Sequence, residues 1–243
     1  MRDLFRILQW AVGLRSPREE IHSGEIDPAV LLEIRYKTMA EKNKVPADIP
    51  LCKARFVVFD LETTGLYPYG GDEITSVSAV VVDNGRLKRD TYFDYLVNPK
   101  RPIPPIATEI TGITDEMVSD APSVLWVLNE FLDFARNSIL VAHCIDFDFH
   151  FINLKLKQFC HTKIHHPTVD TNILANAFLT GKGCINLDEL LRFFRIEPEG
   201  RHTSLGDSLM TAQVLIDFLQ ILAERGIHTL SDLNYYLHWR AFQ

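Results

Sequence analysis

Residues 55 to 65, Arg55-Phe56-Val57-Val58-Phe59-Asp60-Leu61-Glu62-Thr63-Thr64-Gly65, constrain the fold of this 243-residue chain more than any other stretch. The apolar run with Val and Phe predicts a buried strand. That strand ends in two acids. Residues two apart on a strand share a face, so Asp60 and Glu62 project to one side and Leu61 to the other. Two like charges this close repel, and burial strengthens the repulsion. Two readings are open at this point. The strand ends at the surface, with Gly65 making the next turn, or a cation sits between the acids. Oxygen-only ligands on a rigid strand suit a hard ion such as Mg²⁺ or Mn²⁺. The rest of the chain has to decide between them.

After a loop at Tyr67-Pro68-Tyr69-Gly70-Gly71, a second strand is expected over Glu73–Asp83. Asn84-Gly85 signals a tight hairpin, and a third strand returns over Arg86–Val97. The first three strands therefore predict an antiparallel meander. Four prolines within residues 98–105 break the pattern. Short helices follow near Ile106–Ile110 and Thr114–Val118. An amphipathic helix follows over Pro122–Asn137, and a buried strand over Ile139–Ala142 leads to His143. Further helices are expected over residues 147–160, 171–179 and 187–194, with a short strand at Thr168–Asp170. The stretch 205–225 is apolar almost all round and predicts a buried helix; Ser231–Trp239 predicts a terminal one. This order fits a mixed α/β sheet with helices on both faces.

Residues 1–53 read as a helical N-terminal extension and linker, and 54–243 as the main domain. Met1–Leu14 has an amphipathic helical pattern without a small-residue cleavage site, which argues against a signal peptide; it would dock on a partner, on a membrane surface or, as the plainest expectation, on the chain's own core. Asp27-Pro28 starts a second helix, and Pro46 and Pro50 end the segment. No apolar run reaches the roughly 18 residues of a membrane span. The net charge is −7. Residues 1–53 carry nine Lys/Arg against eight Asp/Glu, and the remainder 16 against 24. That is a poor match for generic duplex binding through clustered cations, but metal-binding carboxylates contribute to such a count. Cys52, Cys144, Cys160 and Cys184 form no C-x-x-C, which fits a reducing compartment and a cytoplasmic location. Cys160, His161, His165 and His166 cluster in sequence but meet no structural-zinc spacing.

Acids recur in two more places. One is His143-Cys144-Ile145-Asp146-Phe147-Asp148, at a strand-to-helix turn, where Asp146 as N-cap and Asp148 in the first turn would serve the helix alone. The other is His202-Thr203-Ser204-Leu205-Gly206-Asp207, where Ser204 and Asp207 have capping-box spacing. Each local reading stands by itself. The combination, in this order, points elsewhere.

These three segments together resemble the signature motifs of the DEDDh 3′–5′ exonucleases. The likeness is nearest to the proofreading epsilon subunit of bacterial DNA polymerase III and its free-standing relatives, and it covers about residues 54–225. Val97-Asn98-Pro99 through Ile110-Thr111-Gly112-Ile113-Thr114-Asp115-Glu116 is similar to the family's connecting segment. Relatives often carry His where this chain has Thr111, beside the substrate's terminal nucleotide. The family places its acid directly after Phe, which selects Asp148 over Asp146. The resemblance implies the ribonuclease H-like fold, with a five-stranded mixed sheet, and a catalytic set of Asp60, Glu62, Asp148, His202 and Asp207.

It also implies two divalent metal ions, Mg²⁺ or Mn²⁺, about 3.5–4 Å apart. Asp60 would touch both, Glu62 and Asp207 would hold the ion carrying the nucleophile, and Asp148 would hold the second. His202 would accept the water's proton, since an imidazole with a pKa near ~6.5 suits a base at neutral pH. Substrate contacts are expected from Thr63, Gly65, Leu66, Thr111, His143 and Phe147. Tyr67 and Tyr69 would stack on bases or, as the plainer reading, pack within their loop. Lys155, Lys157 and Lys163 would track a backbone or simply form a solvated helix face. Gln213-Val214-Leu215-Ile216-Asp217-Phe218 has a superficial likeness to a sliding-clamp peptide but falls inside a helix expected to be buried. The expected substrate is a single-stranded or frayed DNA 3′ end, with nucleoside 5′-monophosphate as product. Residues 1–53 are the expected site of a polymerase or other protein partner. The alternatives are an exoribonuclease of the same motif class and a non-catalytic nucleic-acid-binding subunit.

Overall fold

Alternate residues of the first strand, β1 (Arg55–Thr63), divide the protein into two cores. Phe56 and Val58 face one side, and Val57, Phe59 and Leu61 face the other. The computed structural model describes residues 27–180 and 185–240. The amphipathic stretch at Met1–Leu14 and Cys184 lie outside the described residues.

Strand β2 (Ile74–Asp83) pairs antiparallel with β1, and β3 (Arg86–Leu96) pairs antiparallel with β2. Asn84 and Gly85 both take positive φ, at 52° and 68°, as a tight hairpin of this hand requires. Strands β4 (Ile139–Ala142) and β5 (Thr168–Asp170) add in parallel on the other side of β1, giving the order β3-β2-β1-β4-β5. This is the mixed sheet that the sequence predicts. β2 is buried almost throughout, as a central strand covered on both faces should be. β3 is a charged, largely exposed edge, carrying Arg86, Lys88, Arg89 and Asp90.

Two short helices, α2 (Pro105–Thr111) and α3 (Asp115–Val118), lead to α4 (Val124–Phe134). Helix α4 covers one face with α5 (Ile145–Cys160): Leu128, Phe131, Phe151 and Ile152 pack against Val57, Phe59 and Val81. After β5, α6 (Thr171–Ala175) runs into a π-helical turn at Asn176–Thr180. Helices α7 (Leu187–Phe194) and α8 (Ser204–Glu224) cover the opposite face, and α9 (Leu230–Arg240) closes the described chain. By length and composition alone α8 could cross a membrane. It instead lays Met210, Val214, Leu215 and Phe218 on Phe56, Val58, Val80 and Val82. The clamp-like stretch Gln213–Phe218 lies inside it, with Val214, Leu215 and Phe218 buried.

The second helix expected in the N-terminal segment is α1 (Pro28–Ala40), with Asp27 as its cap. Its Ile34 is fully buried in the core that contains α4 and α5. Lys37 Nζ donates to Asn129 Oδ1 and Asp133 Oδ2, both at 2.8 Å, and pairs with Glu33 at 2.9 Å. Thr38 and Thr162 share a hydroxyl hydrogen bond of 2.7 Å. Further on, Leu51 N donates to His228 O at 2.8 Å. Residues 28–53 are thus fastened to the sheet domain at both ends.

Candidate active site

Asp60 and Glu62 continue the parity of Phe56 and Val58, so they emerge on the face covered by α8. Opposite them on β2 are Ser78 and Ser76. Small hydroxyl residues there let the start of α8 come close. Ser204 Oγ is 2.7 Å from Ser76 Oγ and 2.6 Å from Ser78 Oγ, and Ser208 Oγ donates to Ser78 O at 3.2 Å. This hydroxyl cluster seats the first turns of α8 and places Asp207 beside the strand acids. One carboxylate oxygen each of Asp60, Glu62 and Asp207 lies within 4.8 Å of the others. The surface-turn reading of the strand end therefore fails, since a third acid is built in against the first two.

The segment before α8 is folded tightly onto it. A Cβ on Gly206 would lie 2.0 Å from Gly200 O, so only glycine fits. Thr203 is the cap of α8: its Oγ1 accepts from Gly206 N at 3.1 Å and donates to Gly200 O at 2.7 Å. The capping-box reading of Ser204 with Asp207 is corrected by this, because Ser204 is already helical and Asp207 is left to the site. His202 is exposed, with φ of 64°, immediately ahead of the helix. Arg201, which the sequence reading did not single out, reaches into the acids. Its Nη1 is 2.5 Å from Asp207 Oδ2, and its Nε is 2.7 Å from Asp188 Oδ1. Asp207 Oδ1 is buried with no hydrogen-bond partner among the described residues.

Asp148 enters from the other side of the sheet. Helix α5 begins at Ile145, two residues earlier than the sequence predicts. Asp170 rather than Asp146 caps it, accepting from Cys144 N at 3.1 Å and Ile145 N at 3.0 Å while also capping α6 through Asn172 N at 2.7 Å. Asp146 is exposed, whereas Asp148 is only 3% exposed. Its charge is the largest like-charge influence on Asp60.

The electrostatics are those of an acid cluster short of positive charge. Burial pushes the Asp60 carboxyl well above the usual carboxylate range, and Asp148, Glu62 and Asp207 add to this. Burial, then Asp207, pushes Glu62 up to about 8. Asp148 and Asp207 are raised chiefly by burial as well. Arg201 pulls Asp60, Glu62 and Asp207 the other way without restoring them. An all-carboxylate donor set, one buried orphan oxygen and unrelieved repulsion together fit a hard divalent cation.

The exonuclease family (RNase_T) matches residues 57–215. The chain belongs to this family. The chain is 42% identical over 185 residues to the DNA polymerase III subunit epsilon-like protein of Rhodobacter capsulatus. The match takes in 75% of the chain but only 26% of that relative's length. Among solved structures it is similar to exonuclease X in complex with 5′ overhanging duplex DNA. The TM-score there is 0.55 at 26% identity, over 68% of this chain and 92% of that one. The nuclease domain of 3′hExo, a DEDDh family member bound to rAMP, shares the fold. Its TM-score is 0.59 at 21% identity, over 71% of this chain and 95% of that one.

The remaining residues expected to serve the exonuclease divide into those near the strand end and those engaged elsewhere. Thr63 Oγ1 donates to Gly65 O at 2.7 Å, shaping the turn after the acids. Leu66 is 67% exposed, and Tyr67 and Tyr69 are each 73% exposed. The plainer reading of the tyrosines as loop packing is corrected by this; Tyr69 has a ring contact with His150 at 6.4 Å and otherwise stands in solvent. His143 Nδ1 is 3.0 Å from Thr171 Oγ1, and burial holds its imidazole below the ordinary range. Phe147 packs on Phe151 with ring centroids 5.2 Å apart. Thr111 turns back on its own helix end, donating to Ala107 O at 2.9 Å and accepting from Ile113 N at 3.1 Å. Lys155 is neither a backbone tracker nor part of a solvated face. It is buried and pairs with Glu73 at 2.6 Å, while Lys157 and Lys163 are exposed. His166, within the Cys/His-rich stretch, is buried against Glu41 at 3.5 Å.

Proposed function

We propose that the protein is a metal-dependent 3′–5′ exonuclease that hydrolyses the terminal phosphodiester of a single-stranded or frayed DNA 3′ end and releases a nucleoside 5′-monophosphate. The observation that carries this reading is the convergence of Asp60, Glu62 and Asp207 within 4.8 Å, with Asp148 pressing on Asp60 from α5. Four acids would repel a phosphodiester. They make sense in a nuclease only with cations that neutralise both sides.

Asp60, Glu62 and Asp207 would hold one Mg²⁺ or Mn²⁺ ion, and Asp60 with Asp148 a second. Such ions lower the pKa of water and stabilise the leaving oxygen. The protein's own contribution is positional. The serine cluster at Ser76, Ser78 and Ser204 fixes the spacing between β1 and α8, and with it the backbone that carries the acids. His202 accepts the proton of the attacking water on an imidazole nitrogen and passes it to solvent, to which it is exposed. Its left-handed backbone, two residues after Gly200 and immediately ahead of α8, would let the ring swing toward the acids. A polymerase or other protein partner would meet the outer face of α1, where Leu32, Tyr36 and Met39 are exposed. That the relative in Rhodobacter capsulatus is named epsilon-like supports this assignment.

The test is degradation of 3′-end-labelled single-stranded DNA and RNA with Mg²⁺ or Mn²⁺, comparing the wild type with His202→Ala. Metal-dependent loss of nucleotides from DNA in the wild type alone is the expected result. Loss from RNA only would replace DNA by RNA as the substrate. No loss from either would remove the enzymatic reading.

A further inference from the structure

The turn after the strand acids carries three exposed large side chains, Leu66, Tyr67 and Tyr69, and the side chain of Asp72 ties its base together. Asp72 Oδ2 accepts from Tyr67 N at 3.0 Å, and Asp72 Oδ1 accepts from Thr64 Oγ1 at 3.2 Å. Thr64 is itself buried and accepts from Glu73 N at 3.0 Å, so the base of the loop is closed. Arg101, from the proline-rich connecting segment, pairs with Asp72 Oδ1 at 3.2 Å and also donates to Gly71 O.

Gly65 explains itself through the same carboxylate. Its φ is not in the left-handed region, so the backbone does not demand glycine there. A Cβ at position 65 would instead lie 2.3 Å from Asp72 Oδ2 and 2.6 Å from Asp72 Cγ. A free aspartate would swing aside at little cost. This one is pinned by Tyr67, Thr64 and Arg101, so moving it breaks charge-assisted hydrogen bonds that order the loop.

We propose that Asp72 is a positioning residue for substrate binding: interlocked with Gly65 and Arg101, it holds residues 65–71 in the shape that presents Leu66 and Tyr67 to a nucleic-acid 3′ end. The inference rests on the exonuclease reading above. It touches none of the four acids or His202. Its signature is therefore in substrate affinity rather than in turnover once bound. Removing Asp72 leaves the loop to be ordered during binding, which raises KM and leaves kcat in place.

The experiment is a double-mutant cycle of Gly65→Ala and Asp72→Ala, read by thermal unfolding and by steady-state hydrolysis of a 3′-ended single-stranded oligonucleotide with Mn²⁺. Asp72→Ala is expected to raise KM by about tenfold with kcat within about twofold. Gly65→Ala is expected to do the same in the wild-type background and to add little to Asp72→Ala, because the clashing carboxylate is gone. Arg101→Gln, which removes one pin and leaves the rest, is expected to raise KM less and is the variant to read if Asp72→Ala does not fold. Gly65→Ala being as harmful without Asp72 as with it would overturn the interlock. A fall in kcat at unchanged KM for Asp72→Ala or Arg101→Gln would overturn the positioning role. A wild type that hydrolyses no oligonucleotide removes the exonuclease reading. The interlock is then still judged by the additivity of the unfolding temperatures, and the positioning role by equilibrium binding of the same oligonucleotide.

Discussion

Arg201 Nη1 sits 2.5 Å from Asp207 Oδ2, so the acid cluster already holds one cation, and that cation belongs to the protein. The guanidinium is shared with Asp188 on α7, which keeps it anchored when Asp207 turns to another partner. A metal ion that takes Asp207 competes with Arg201. Replacing Arg201 with Gln therefore has two opposed effects. The metal-free protein loses about 1.5–3 kcal/mol, the scale of a charge-assisted hydrogen bond at a partly buried site. The stabilisation gained on adding Mn²⁺ becomes larger than in the wild type, because no internal cation has to be displaced. Thermal unfolding across a Mn²⁺ titration reads both. A smaller metal-induced shift in Arg201→Gln than in the wild type would mean that Arg201 assists the ion rather than competing with it.

Glu62 gives the metal-free protein a specific pH response. Its folded-state pKa is pushed from 4.5 to about 8, so between these values the native state holds a proton that the unfolded state has lost. The native state binds more protons, and stability falls as pH rises through this window. Glu62→Gln reduces that slope by the share of Glu62, leaving the part that the raised Asp60, Asp148 and Asp207 contribute, and saturating Mg²⁺ or Mn²⁺ flattens it in the wild type by supplying the missing positive charge. Urea unfolding at several pH values between 5 and 8, in chelator and in metal, checks this. Equal slopes for wild type and Glu62→Gln in chelator would show that the burial of this acid has little energetic effect.

His166 acts in the opposite direction and far from the acids. Burial lowers its imidazole from 6.5 to about 4; Glu41 Oε2, 3.5 Å from Nε2, is too distant to hold the proton on the ring. The unfolded state binds more protons between pH 6.5 and 4, so stability is lost as pH falls through that range. The integrated loss is about 3 kcal/mol. His166→Gln should shrink the acid-side dependence by the share of His166, leaving that of the other lowered groups such as His143, at some cost in packing. The outcome that sinks this is an unchanged acid limb in the variant.

Much of this architecture was legible because the decisive patterns are local. The alternation through Phe56, Val58, Asp60 and Glu62 places both acids on one face, and Asn84-Gly85 dictates the hairpin. What escaped the sequence are relationships between distant segments. Nothing near Arg201 in sequence says that its guanidinium will bridge Asp188 and Asp207. Asp170 lies 25 residues from Ile145, yet it replaces Asp146 as the cap of α5 because β5 runs parallel beside β4. Lys155 looks like a solvated helix residue until the start of β2 brings Glu73 against it. Ser76 and Ser78 read as ordinary strand residues, and only the close approach of α8 gives them a purpose.

The choice between Asp146 and Asp148 is the last prediction. Both lie in the first turn of α5, and either would complement its dipole. Asp146 is exposed and, with Asp170 capping the helix, carries no cap hydrogen bond. Asp146→Asn should therefore cost only about 0.3–1 kcal/mol and leave hydrolysis intact. Asp148 is buried, raised by its burial and by its acidic neighbours, and its charge presses on Asp60. Asp148→Asn relieves repulsion in the metal-free protein, so its thermal stability in chelator should hold or rise. The same change removes a charge that the reaction needs, and the rate of 3′-end hydrolysis should fall by at least about a hundredfold. This split, a more stable protein that no longer cuts, separates a working acid from a structural one. Equal activity of Asp148→Asn and the wild type would remove Asp148 from the site.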